Sequence, residues 1–199
     1  MTKKIKKVLF CDNNLKDQIN FRGDVINSYA ADGVEVLLVS PLNCEYKPEY
    51  PNIHHIDIEL NRSGKNPLRE LKYLRTLYRI FDKEKPDYIF TYTIKPNIYG
   101  SIAAHLCKIP STAMIAGLGY VFNKKGIGNW IARNLYRFAL RFPEYIFVLN
   151  SVNRKIVLEK RIATERQLIL LTGGEGINLE KYKSKNHAHK IFNDSSSIV

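Results

Sequence analysis

Residues 61–100 read NRSGKNPLRELKYLRTLYRIFDKEKPDYIFTYTIKPNIYG, and their pattern decides the fold. The segment alternates loop, helix, buried strand, loop and helix. Leu68, Leu71, Leu74 and Leu77 mark the apolar side of the first helix, with Lys72, Arg75 and Arg79 towards the other. Glu84-Lys85-Pro86-Asp87 ends it, because a proline ring clashes with a helical residue before it. Tyr88-Ile89-Phe90 and the alternating Thr91-Tyr92-Thr93 read as a short strand, followed by Lys95, Pro96 and Asn97 and a helix from Ile98 to Cys107. Polar residues between a strand's carboxyl end and the next helix stand where open α/β sheets bind ligands. Arg62, Ser63 and Asn66 hold the equivalent place in the preceding unit.

Working outward, the same alternation continues. Strands are expected at Val8–Cys11, Val34–Val39, Ile53–Leu60, Thr112–Ala116, Tyr145–Leu149 and Leu168–Leu171. Helices are expected at Phe21–Ala31 (Phe21, Val25, Ile26 and Tyr29 inward), Ile127–Phe142 and Val152–Arg161. Such alternation implies an α/β fold: a doubly wound, mostly parallel, Rossmann-like sheet with helices on both faces. Residues 1–182 form the expected domain. Residues 183–199 are polar and aperiodic, and read as a linker or tail.

Composition narrows the partners. The 31 Lys and Arg against 19 acids give a formal charge of +12, which favours an anionic partner. Three cysteines, Cys11, Cys44 and Cys107, have no metal-type spacing and fit a reducing compartment. No apolar run reaches the roughly 20 residues of a membrane span, so a membrane role is expected to be peripheral. There is no G-x-G-x-x-G, no G-x-x-x-x-G-K-[ST] and no G-x-S-x-G, which argues against a dinucleotide site, a P-loop and a hydrolase elbow. The five histidines lack partners at ligand spacing, so no metal and no cofactor is expected.

Arg22, Arg62 and Lys95 lie near three loops that a doubly wound sheet brings to one edge, where cations would hold a diphosphate; each alone reads equally as a solvated charge. Asn97 and Tyr99 stand at a helix start, for a sugar or phosphate or as a plain cap. Gly117 and Gly119, then Gly174 and Gly176, form two glycine loops, open to a ligand or simply turning. In the helix at 127–142, Arg133, Arg137 and Arg141 make a basic stripe beside Trp130, Ile131, Leu135, Phe138 and Phe142. Such a helix suits an anionic membrane surface or an ordinary place on the sheet.

Taken in order, NFRGD at 20–24, NRSGKNPL at 61–68, KPD at 85–87, TYTIKPNIYG at 91–100, GLGYVF at 117–122 and GGEGINLEKY at 173–182 resemble the family 4 type retaining glycosyltransferases of GT-B architecture. Those enzymes build surface glycans on lipid carriers. The resemblance implies an amino-terminal, acceptor-side Rossmann-like domain, with Arg22, Arg62, Ser63, Lys95, Asn97 and Tyr99 meeting a lipid-diphosphate-linked glycan. It implies a peripheral position on the inner face of the cell membrane, through Trp130, Arg133, Arg137 and Arg141. The nucleotide-sugar donor would sit on a second domain or chain, and this polypeptide alone is expected to be inactive. The rival reading is a non-enzymatic basic α/β module for nucleic acid or an anionic surface, which charge supports and no nucleic-acid motif does.

Overall fold

The computed structural model describes residues 4–61, 66–117 and 127–172. Seven strands form one sheet: β1 (Lys7–Cys11), β2 (Glu35–Ser40), β3 (Ile53–Asp57), β4 (Tyr88–Tyr92), β5 (Ser111–Ile115), β6 (Tyr145–Val148) and β7 (Leu168–Leu170). Their order is β3-β2-β1-β4-β5-β6-β7 and every described pairing is parallel. The expected fold class is therefore observed. The order reverses between β1 and β4, and it is beside such a reversal that open α/β sheets have their crevice.

Alternate residues of the strands feed cores on opposite faces. Val8 and Phe10 of β1 pack with Leu15, Ile26 and Ala30 of α1 (Leu15–Ala31). Leu9 and Cys11 pack on the other side with Tyr73, Leu77 and Phe81 of α2 (Pro67–Glu84) and Ala103 and Ala104 of α3 (Ser101–Leu106). A third cluster joins Ala113 and Ile115 of β5 and Ile146 and Val148 of β6 to Tyr136 and Ala139 of α4 (Ile127–Ala139), Leu140 just after it, and Val157 of α5 (Ser151–Glu159).

Several elements differ from expectation. Helix α1 begins at Leu15, six residues before Phe21, because the Asn14 side chain caps it by accepting from the Asp17 backbone N–H at 2.7 Å. That start turns Leu15, Gln18, Arg22, Gly23, Ile26 and Ala30 inward, and leaves Phe21 and Val25 exposed. In α2, Leu68 and Leu71 are exposed and Tyr73, Leu77 and Phe81 are buried. A step of three residues falls about 60° short of a full turn, so leucines three apart walk around the helix rather than down one side. β4 ends at Tyr92, and a π-helical turn at Pro96–Gly100 precedes α3. β3 stops at Asp57, and α4 at Ala139.

Candidate functional site

Three strand ends and the turns after them enclose a cavity of about 300 Å³ at the switch point. Asn13 enters it from the end of β1, Thr93, Ile94 and Lys95 from the end of β4, and Met114 to Gly117 from the end of β5. Leu60, Asn97 and Tyr136 complete its described wall.

Asn97 builds that wall from inside. It is buried, donates from Nδ2 to the Met114 carbonyl at 2.7 Å and to the Tyr136 hydroxyl at 3.5 Å, and accepts from Thr91 Oγ1 at 2.9 Å. It therefore ties β4, β5 and α4 together, and its side chain is not a helix cap. Burial pushes the Tyr136 phenol up to about 12, against a smaller opposing pull from Asn97, so it is a neutral hydroxyl in the fold. Gly100 lies just behind. A Cβ there would stand 2.8 Å from Cγ2 of Thr91, so this contact of turn and strand requires glycine.

The cations at this edge are already engaged. Lys95 Nζ donates to the Asn61 carbonyl at 2.6 Å and bonds Glu70 Oε1, which ties the β4 turn to the start of α2. Arg22 is not in a turn. It lies in α1, 6 % exposed, with Nη1 3.5 Å from Asp12 Oδ2 and its guanidinium carbon 4.2 Å from the centre of the Tyr92 ring. Burial of a guanidinium is tolerated because a carboxylate and an aromatic face replace water. Arg22 and Lys95 thus share one sheet edge, on opposite faces. Tyr99 is half-buried, its ring edge-on to Tyr73 at 5.8 Å. Burial, with a contribution from Glu70, raises its phenol well above the usual range. Arg62, Ser63, Gly119, Gly174 and Gly176 lie outside the described residues, and Gly117 lines the cavity.

Pattern reading missed the roles of Asp12 and Thr93. Asp12 is buried at the end of β1, where Oδ1 accepts from the Asn13 N–H at 2.6 Å and from Thr93 Oγ1 at 3.4 Å. Counting from an Asn14 cap would have placed Arg22 two turns into the helix and on its inward face, which demands a buried partner.

Away from the cavity, α4 presents Trp130, Ile131 and Phe138, 61 %, 54 % and 49 % exposed. Arg137 donates from Nε to the Lys160 carbonyl at 2.8 Å, and an open groove between α4 and α5 gathers Arg137, Arg141, Lys160 and Arg161. No helix among the described residues is long and apolar enough to cross a membrane.

Residues 8–150 match the family described as glycosyl transferase 4-like, which covers β1 to β6 and the whole described cavity wall. The chain belongs to that family. Among curated proteins it is similar to an N,N'-diacetylbacillosaminyl-diphospho-undecaprenol alpha-1,3-N-acetylgalactosaminyltransferase of Campylobacter jejuni, 25% identical over 170 residues, 82% of this chain and 44% of the relative. A UDP-Gal:alpha-D-GlcNAc-diphosphoundecaprenol alpha-1,3-galactosyltransferase of Escherichia coli is 24% identical over 116 residues, 58% of this chain and 30% of the relative. The chain thus spans less than half the length of these two glycosyltransferases. Among solved structures, the UDP co-structure of MnaA from S. aureus superposes with a TM-score of 0.64 at 17% identity, covering 94% of this chain and 50% of that one. The fold of this glycosyl transferase 4-like chain is accordingly the Rossmann-like unit of GT-B proteins, and the family favours glycosyl transfer over a nucleic-acid module.

Proposed function

We propose that this chain is the acceptor-side unit of a glycosyltransferase that moves a sugar from a nucleotide sugar to a lipid-diphosphate-linked glycan in surface-polysaccharide synthesis. The cavity at the β1–β4 switch point carries the reading. It has the size of a small ligand site, a polar side in Asn13 and Thr93, and an apolar side in Leu60, Ile94, Met114 and Ile115, against which a sugar's C–H face packs. The relatives' names supply the class of acceptor, a glycan on diphospho-undecaprenol.

Sugar transfer depends chiefly on holding the acceptor hydroxyl in line with the donor and on stabilising the departing phosphate. The described residues supply the first. The donor-holding unit is a partner on the same or another polypeptide, consistent with a chain that spans under half of its relatives. The exposed Trp130, Ile131 and Phe138 with Arg133 and Arg137 on α4, and Arg141 just after it, suit the anionic inner surface of a cell membrane, where the lipid acceptor resides, and the protein works there peripherally.

Titrating a short-chain prenyl diphosphate N-acetylhexosamine into the protein tests the reading. Saturable binding, unaffected by random RNA, is expected. Salt-sensitive RNA binding with no binding of the glycolipid would replace it by the nucleic-acid module.

A further inference from the structure

Thr93 has a backbone that threonine avoids. Its φ is 67°, in the left-handed region, a strained position and a true outlier for a β-branched side chain. Three other described non-glycine residues share the sign: Lys85, Lys108 and Arg161, with φ of 47°, 58° and 50°. Each ends a helix, where left-handed geometry is the ordinary way to stop one. Thr93 instead follows the last residue of a strand and lines the cavity.

What holds Thr93 there is buried and charged. Its Oγ1 donates towards Asp12 Oδ1 at 3.4 Å and also lies against its neighbour's carbonyl, that of Tyr92. Asp12 is fixed in turn by Arg22, and Arg22 by the Tyr92 ring. Both oxygens facing the Thr93 hydroxyl are acceptors, so its one proton is committed to the protein. What remains is a pair of lone pairs, and a hydroxyl in that state accepts hydrogen bonds without donating them. Such a group suits an O–H or N–H of a sugar and not a phosphate oxygen.

Resting on the acceptor-side reading above, we propose that Thr93 is a specificity-determining residue that accepts a hydrogen bond from an O–H or N–H of the acceptor's terminal sugar. The Asp12–Arg22 pair is its positioning device. The strained turn presents a bare oxygen to the sugar, and the diphosphate is recognised elsewhere.

Calorimetry on the full chain with two probes tests this: farnesyl diphosphate bearing N-acetylglucosamine, and farnesyl diphosphate alone. Thr93→Ala should weaken the sugar-bearing probe about tenfold, the worth of one hydrogen bond, and leave farnesyl diphosphate unchanged. Thr93→Ser, which keeps the oxygen, should bind both like the parent. Farnesyl diphosphate reports that each variant is folded. Equal binding of the sugar-bearing probe by the Ala variant, a Ser variant as weak as the Ala variant, or parallel loss of both probes would overturn the assignment while leaving the acceptor-side reading in place. Failure of the parent chain to bind either probe would remove that reading, and this inference with it.

Discussion

Asn97 accepts a hydrogen bond from β4 and donates to β5 and α4, and so the cavity wall depends on one amide. Asn97→Ala would leave the Met114 carbonyl and the Thr91 hydroxyl with lost partners at a buried site. A cost of about 2–3 kcal/mol is expected, visible as a fall of several degrees in the melting temperature. Arg22 makes a sharper case. Removing it by Arg22→Met leaves the Asp12 carboxylate buried without its cation, which should cost about 3–5 kcal/mol, whereas adding Asp12→Asn to that variant should recover part of the loss. Urea unfolding of the two proteins gives the comparison. Burial also pushes the Cys11 thiol from 9.0 up to about 12, the Tyr73 contact opposing weakly. A group with a raised folded value keeps its proton in the fold after the unfolded chain has released its own. The Cys11 contribution to stability is therefore fully present below pH 9 and is lost between pH 9 and about 12. Cys11→Val should flatten that fall, as read from urea midpoints across the range. These burials were not legible as residues. Position 22 follows its inward neighbours at positions 15 and 18 in helical register, but that register is visible only once Asn14 is recognised as the cap.

Elements were more legible than their faces. Each strand and helix of the described sheet was expected from alternation, with Pro86 marking one boundary. Faces failed where residue type outweighed angle, as in α2, whose leucines step by three while its buried Tyr73, Leu77 and Phe81 step by four. The π-helical turn escaped because Pro96 and Asn97 look like an ordinary helix start, and the close approach of Gly100 to Thr91 is a tertiary fact. Gly100→Ala forces a Cβ against a buried strand residue and is expected to destabilise by about 1–3 kcal/mol in thermal unfolding. For α4 and the turn after it, reversing Arg133, Arg137 and Arg141 to Glu should abolish sedimentation with vesicles containing anionic phospholipid, since each basic residue near such a surface is worth about 1 kcal/mol. Unchanged sedimentation would take the membrane away from this helix.

At the scale of the whole molecule, the sheet gives the site its location. Order β3-β2-β1-β4-β5-β6-β7 reverses at β1 and β4, and the turns after those strands, with the end of β5, surround the cavity. Alternation pointed to a doubly wound parallel sheet with polar loops at one edge; the strand order and the cavity were not legible in it. Loop positions suggested cations at the same edge for a diphosphate; among the described residues Lys95 and Arg22 are held by Glu70 and Asp12. Composition counts charges and not their partners. Beside the Lys95–Glu70 pair, the cavity offers a hydrogen-bonding wall in Asn13 and Thr93, which suits a sugar. Its occupation by the acceptor is the central claim. Amide shifts of the isotope-labelled chain, titrated with farnesyl diphosphate-linked N-acetylglucosamine, measure it directly. The account predicts the largest shifts at Asn13, Thr93, Ile94 and Gly117. Shifts confined to the basic groove of Arg137, Arg141 and Lys160, with the cavity silent, would contradict it.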